Sequence, residues 1–319
     1  MSRPVLAGVL APTCVGLLLC CLLALPGSLT AGRAGGDEPA REAVTPVART
    51  DANSRTAHEQ LLDKAKKGRI DVYFVGDSIT RRWGATDYPE FLANWRRNFH
   101  GWNAANFGWG GDTVRNILWR LRNGELDGVH PKVIVLMAGT NDIGGAAPRG
   151  GDEARVAAIT AGIKALLDVC REKAPDSVII LMGITPRNDN PAAMPIINKV
   201  NERIAQFADG KKVRYLNINE KLADKEGKLR EGMSPDRLHL SVKGYQVWAD
   251  ALKPILTELL GPPAKEDLAP PPTGDPRATG KPAGPAPAAQ GAQCGCAALT
   301  ATTATGPPQS SPRSCRRAK

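Results

Sequence analysis

A three-layer α/β domain on a parallel five-stranded sheet is the fold class this sequence predicts. Short β-rich runs alternate with amphipathic segments of helical period between about residues 58 and 260, and such alternation places a parallel sheet between two helical layers. The content of 42% hydrophobic and 23% charged residues is enough for a sizeable core. The first three runs also end in clusters of Gly with Asp, Ser, Thr or Asn, where an open α/β sheet gathers its functional groups.

In chain order, strands are expected at Ile70–Val75, Asn103–Phe107, Val133–Met137, Val178–Met182 and Val213–Leu216. Helices are expected directly after Ser78 and over Asp112–Asn123, Asp152–Lys173, Ile196–Ala208 and Ser241–Leu260. Gly261 and Pro262 stop the last of these. No internal repeat is visible.

The flanks read differently. Arg3, an apolar stretch over Val15–Leu25, a break at Pro26-Gly27 and a run of small residues give residues 1–34 the layout of a secretory signal peptide. An uncleaved membrane anchor is the alternative, because Val5–Leu25 is nearly long enough to span a bilayer. Either reading predicts export, to the periplasm or the extracellular space. Residues 35–57 read as a polar linker, residues 58–261 as the folded domain, and residues 262–319, rich in Pro, Ala and Gly, as a disordered tail. Of seven cysteines only Cys170 falls in the domain, so a disulfide within it is excluded. Cys294 and Cys296 read as tail thiols.

A net charge of +10 could suggest nucleic acid, but the basic residues are scattered and form no stripe interleaved with aromatics. Nucleic-acid binding is therefore not expected. Association with a membrane surface or an anionic polysaccharide fits the charge instead. No spacing of Cys and His suits a metal, and the sequence calls for no cofactor. Oligomeric state is not encoded in any recognisable feature.

Position narrows the chemistry. Gly76-Asp77-Ser78 closes the first strand, Gly110-Gly111-Asp112 follows the second, and Gly139-Thr140-Asn141-Asp142 follows the third. Of the four histidines, His100 and His130 fall at the opposite end of the sheet and His58 precedes the first strand. His239 remains, with Asp236 three residues before it. A serine, an imidazole and a carboxylate that fixes the imidazole are the parts of nucleophilic acyl transfer, which makes Ser78, His239 and Asp236 the candidate catalytic residues. The N–H groups of Ser78 and Gly111 and the amide of Asn141 are candidate oxyanion donors. Taken singly, Gly-Asp-Ser and Gly-Thr-Asn-Asp are ordinary turn or cap chemistry, and Asp-x-x-His is ordinary surface. Their occurrence together, in this order and at one rim, is what points to catalysis. The G-x-S-x-G elbow is excluded, since Ile79 and Thr80 follow Ser78.

These four blocks, the last being Asp236-Arg237-Leu238-His239, resemble those of the SGNH/GDSL hydrolases. The run from Asn106 through Asn123 to Asn141 is similar to the catalytic subunits of intracellular platelet-activating-factor acetylhydrolase. The resemblance covers roughly Ile70–Leu259. It implies a flavodoxin-like fold, a triad of Ser78, Asp236 and His239, and an oxyanion hole of Ser78, Gly111 and Asn141. Asp142 departs from the residue those subunits carry after the Asn, and the leader departs from their cytosolic location, so their substrate is not carried over.

The expected activity is a serine carboxylic ester hydrolase that removes short acyl groups, acetyl foremost, from a small-molecule or glycan ester. The alternatives are a lysophospholipase or thioesterase for longer chains, and an inactive carbohydrate-binding domain. Trp83 and Trp109 are expected to flank the acyl or leaving group, unless they pack as core. Arg187 is expected either to meet an anionic substrate or to cap its loop.

Overall fold

The inner strands of this protein are apolar on both faces, which suits a sheet covered on both sides. The computed structural model describes residues 38–277 apart from 145–147 and 191. The five strands are β1 (Val72–Gly76), β2 (Ala104–Gly108), β3 (Val133–Met137), β4 (Val178–Met182) and β5 (Val213–Leu216). All neighbours run parallel in the order β2-β1-β3-β4-β5. Strands β3, β4 and β5 have the expected bounds. β1 and β2 are shifted toward their carboxyl ends and take in the paired Gly76 and Gly108. Glycine is needed at both, because a Cβ on Gly76 would strike Met137 O and one on Gly108 would strike the backbone of Arg81.

The helices are α1 (Glu38–Ala43), α2 (Ala52–Ala65), α3 (Ser78–Gly84), α4 (Pro89–Phe99), α5 (Val114–Arg120), α6 (Gly151–Lys173), α7 (Ala193–Ala205), α8 (Asn219–Leu222) and α9 (Val242–Leu260). Strand alternation divides the core into two layers. Tyr73, Val75, Phe107, Ile134 and Leu136 face Leu61 of α2, Ile117 of α5, Ile163 of α6 and Val200 of α7. Phe74, Val135, Met137 and Ile180 face Ile79 of α3, Trp95 of α4 and Trp248 of α9. α5 ends earlier than expected: beyond Arg120 the chain widens into a π-helical turn, Leu121–Glu125, broken where Gly124 takes φ +107°. The reversal in strand order lies between β1 and β3, so the loops after those two strands open onto one crevice.

Both domain boundaries drawn from composition need correction. The supposed linker holds α1 and the start of α2, whose N-cap Asp51 accepts from Ser54 N. Between these helices Val47 N donates to Arg115 O at 3.1 Å. At the other end the chain past α9 packs against the domain as an extended strap. Ala264 N donates to Gly101 O at 2.9 Å, Leu268 O accepts from Arg69 N at 2.8 Å and Thr273 O accepts from Thr86 N at 3.1 Å. Backbone hydrogen bonds of this kind leave no mark on composition. The leader, residues 278–319 and every cysteine except Cys170 lie outside the described residues. Cys170 is buried in α6, and burial pushes its thiol up to about 12. No helix of the described residues is long and apolar enough to cross a membrane.

Trp83 belongs to this core, the second of the two readings given above, and does not flank a substrate. It is fully buried, stacks on Tyr245 at 4.9 Å, meets Phe99 edge-on at 4.9 Å, and donates from Nε1 to Asn94 Oδ1 at 2.9 Å. Helical geometry explains this: position 83 lies roughly 140° around the helix from Ser78. Trp83→Ala should therefore cost about 3–5 kcal/mol of unfolding free energy in urea. A loss no larger than about 0.5 kcal/mol, typical of surface positions, would contradict its place in the core.

Candidate active site

The site is assembled from three loops at the carboxyl rim of the sheet and one loop before α9. Asp77 caps α3, its Oδ1 accepting from Ile79 N at 2.9 Å, and this turn sets Ser78 at the first helical position. The N–H of Ser78 is thereby left without an intrahelical acceptor and lies at the positive end of the helix. Burial pushes the Asp77 carboxyl up to about 7, and the neighbouring Asp112 and Asp142 add to the shift.

His239 arrives on the loop between α8 and α9. Ser241 N donates to Met233 O at 2.9 Å to close that loop. Inside it Arg237 takes a left-handed φ of +65°, and its carbonyl accepts from Asn188 N at 2.7 Å. The loop turns Asp236 back onto the imidazole. Asp236 Oδ1 accepts from the backbone N–H of His239 at 2.7 Å and of Leu238 at 3.1 Å. Its Oδ2 lies 2.7 Å from His239 Nδ1, and His239 Nε2 lies 2.9 Å from Ser78 Oγ. With Nδ1–H donating to the carboxylate, Nε2 is free to accept from the serine hydroxyl.

Electrostatics tune the pair. Burial raises the Asp236 carboxyl, but the His239 backbone N–H, the imidazole and the Leu238 N–H outweigh it and hold the group down to about 2. Burial lowers the His239 pKa below its ordinary value. The Asp236 hydrogen bond opposes that shift, and the charge of Arg82 adds to it. Arg82, on α3, places Nη1 3.1 Å from Asp236 Oδ2. Sequence reasoning did not single out Arg82, although its position one turn beyond Ser78 was visible.

Gly111 and Asn141 come to the same rim. Gly111 has φ +75° and is exposed. Gly139, at φ +116°, turns the chain into the short 3-10 segment Thr140–Asp142 that carries Asn141. Asn141 Nδ2 donates one hydrogen to Asp112 O at 2.8 Å, and its second remains for a ligand. Asp142 Oδ2 accepts from Val114 N at 3.0 Å and so fastens this loop to the start of α5.

Behind the rim lies a buried charge cluster. Arg120 donates to Asp112 Oδ2 at 2.7 Å, to Phe107 O at 3.0 Å and to Gly76 O at 3.2 Å, and it pairs with Glu125. His58 Nδ1 lies 2.7 Å from the other oxygen of Glu125. Burial pushes the Asp112 carboxyl up, while the Arg120 and Arg49 guanidinium groups pull against it.

For Trp109 and Arg187 the structure selects between the alternatives. Trp109 is buried: its indole N–H donates to Ser54 Oγ at 2.8 Å and the Arg81 guanidinium lies 4.9 Å from its ring, so it supports the loop and does not line a substrate path. Arg187 is committed to capping its loop. It donates to Thr140 O at 2.9 Å and pairs through two nitrogens with Asp189.

The model of the GDSL-like lipase/acylhydrolase family matches residues 74–247, a span that includes Ser78, Gly111, Asn141, Asp236 and His239. The human platelet-activating factor acetylhydrolase IB subunit alpha1 (Homo sapiens) is 31% identical over 229 residues, covering 70% of this chain and 93% of that protein. The subunit alpha2 of Rattus norvegicus is 32% identical over 205 residues, covering 64% of this chain and 83% of that protein. A solved structure from Bacteroides fragilis, provisionally described as an acylhydrolase, shares the fold with a TM-score of 0.51 at 21% identity, over 66% of this chain and 99% of that one. The chain therefore belongs to the GDSL-like lipase/acylhydrolase family and is an ester-hydrolysing enzyme.

Proposed function

We propose that this protein removes short acyl groups, acetyl first among them, from esters of a polar alcohol such as a sugar hydroxyl, with Ser78 as nucleophile. The observation that carries the reading is the unbroken chain from Ser78 Oγ through the His239 imidazole to Asp236, with links of 2.9 Å and 2.7 Å. Ser78 Oγ attacks the ester carbonyl carbon while His239 Nε2 takes the hydroxyl proton, and Asp236 stabilises the imidazolium. The oxyanion is met by the N–H groups of Ser78 and Gly111 and by Asn141 Nδ2. Collapse breaks the bond to the alcohol, which leaves with the proton from His239. Water then attacks the acyl-serine with His239 again as base, releasing the carboxylic acid and restoring Ser78.

Two features support a short acyl group. Val44 and Leu268 are the large apolar side chains left exposed among the described residues, and neither lies on the four loops of the site. The relatives named above also carry acetylhydrolase in their names. The polar alcohol is supported by the charged rim of Arg82, Asp236, Arg187 and Asp189. Stacking on tryptophan lends no support, because both indoles near the site are buried.

The first test is hydrolysis of p-nitrophenyl acetate, butyrate and octanoate by the full chain beside Ser78→Ala. Acetate should be preferred, and the variant should lose activity on the order of a thousand-fold or more, within the range known for loss of such a nucleophile. A preference for octanoate would move the assignment to lipids, and equal rates in the two proteins would remove Ser78 from the chemistry. In a second test, the rising limb of kcat/KM with pH reports the imidazole, which must be neutral to act as base. Because the His239 pKa is depressed, activity should fall away only below about 6.5, the ordinary value. Arg82→Ala removes a repelling charge, so it should shift the limb to higher pH; an unmoved limb would exclude Arg82 as its cause.

A further inference from the structure

The segment between α1 and α2, polar enough to pass for a linker, is fastened to the start of α5. Arg115 Nε donates to Thr45 O at 3.1 Å, Val47 N donates to Arg115 O at 3.1 Å, and Asn116 Nδ2 donates to Val47 O at 2.9 Å. These bonds fix the place from which Arg49 emerges. Its planar guanidinium then serves two sides. Nε and Nη2 lie 3.2 and 3.1 Å from Asp51 Oδ2, on the residue that caps α2. Nη1 donates to Gly110 O at 3.1 Å and lies 3.3 Å from Asp112 Oδ1.

The contact with Gly110 O bears on the site because of peptide geometry. The Gly110 carbonyl and the Gly111 N–H belong to one planar trans unit and point in opposite directions across it. Whatever holds the oxygen aims the N–H. Little else restrains this unit, since it is flanked by two glycines. A Cβ on Gly110 would meet nothing within 4 Å, and one on Gly111 would meet only Arg49, at 3.3 Å. Hydrogen bonding at the oxygen also polarises the N–H on the far side. The preceding residue is held from α2, the helix that this segment leads into, through the Trp109 indole on Ser54 Oγ.

We propose that Arg49 is a positioning residue that holds the Gly110–Gly111 peptide with its N–H toward the oxyanion. The proposal rests on the esterase reading above. Arg49 touches no reacting atom; it acts through the peptide. Lysine cannot replace it fully, because an ammonium cannot bridge Asp51 and the loop in one plane.

The test uses the full chain with Arg49→Ala, Arg49→Met and Arg49→Lys, with Ser78→Ala in parallel. Steady-state hydrolysis of p-nitrophenyl acetate is measured together with inhibition by an alkylboronic acid, whose adduct on Ser78 places an oxygen in the oxyanion position. Arg49→Ala and Arg49→Met should lower kcat on the order of 10- to 100-fold, as expected for a misplaced catalytic group, with KM nearly unchanged. Boronate affinity should weaken by a similar factor, and Arg49→Lys should fall between these variants and the parent. Thermal unfolding identifies folded variants, and either the Ala or the Met variant suffices if the other fails to fold. If Ser78→Ala is inactive while a folded variant keeps parental kcat and boronate affinity, the positioning role is overturned and the esterase reading stands. A loss confined to KM, or to melting temperature, overturns it equally. If Ser78→Ala is as active as the parent, the reading of the site itself fails, whatever Arg49 does.

Discussion

The Arg120 guanidinium lies buried where β1 and β2 end, and the carboxyl rim of the sheet is built around it. It donates to the last carbonyl of β1, Gly76 O, and to Phe107 O in β2, and it is neutralised by Asp112 from one side and Glu125 from the other. Burying a charge is tolerable only when it is paired and its donors are used. That condition couples distant segments: Asp112 must reach inward from the loop after β2, Glu125 must be turned inward by the π-helical turn after α5, and His58 of α2 must meet Glu125. Leaving one of these charges buried and unpaired typically costs about 3–5 kcal/mol, so the cluster discriminates strongly against other loop arrangements.

Asp112 carries this constraint outward. Its carboxylate is held by Arg120 and Arg49, while its backbone carbonyl accepts from Asn141. One residue thus connects the buried cluster, the segment before α2 and the loop after β3. The serine side is set independently by the Asp77 cap and the imidazole side by the turn at Arg237, so three local constraints converge on the crevice at the strand-order reversal.

Much of this was legible in the sequence, for physical reasons that can be named. The runs over Val133–Met137, Val178–Met182 and Val213–Leu216 are bounded by polar or turn residues, and the strands follow those bounds. Ser78, Gly111, Asn141, Asp236 and His239 sit in short blocks whose types state their chemistry, and the fold brings them to one rim. Trp83 and Trp109 were left between substrate and core because nearness in sequence does not say which way a side chain points. Trp83 turns under α3, and Trp109 turns toward Ser54. Arg49, Ser54 and the Arg120–Glu125 pair meet their partners through the fold, across separations that no local pattern records. α2 was missed, and its first residues were read as linker, because Ala57 and Leu61 are its main buried apolar contacts, too few to stand out.

The strap after α9 has a bearing on association between molecules. β2 is an outer strand of the sheet, and an outer strand presents unpaired backbone groups that can recruit another chain. Lys64 of α2, its ammonium lowered to about 7 by burial, donates to Asn106 O in the middle of that strand. Nearby, Leu268 N donates to Asn103 Oδ1 and Leu268 O accepts from Arg69 N, which seats the strap beside the strand's amino end. Gly68 and Gly101 leave room for it, since a Cβ at either would strike its backbone. The strap as far as Arg277 therefore lies along the sheet margin near the amino end of β2, and a protein trimmed where its composition changes would lose these contacts.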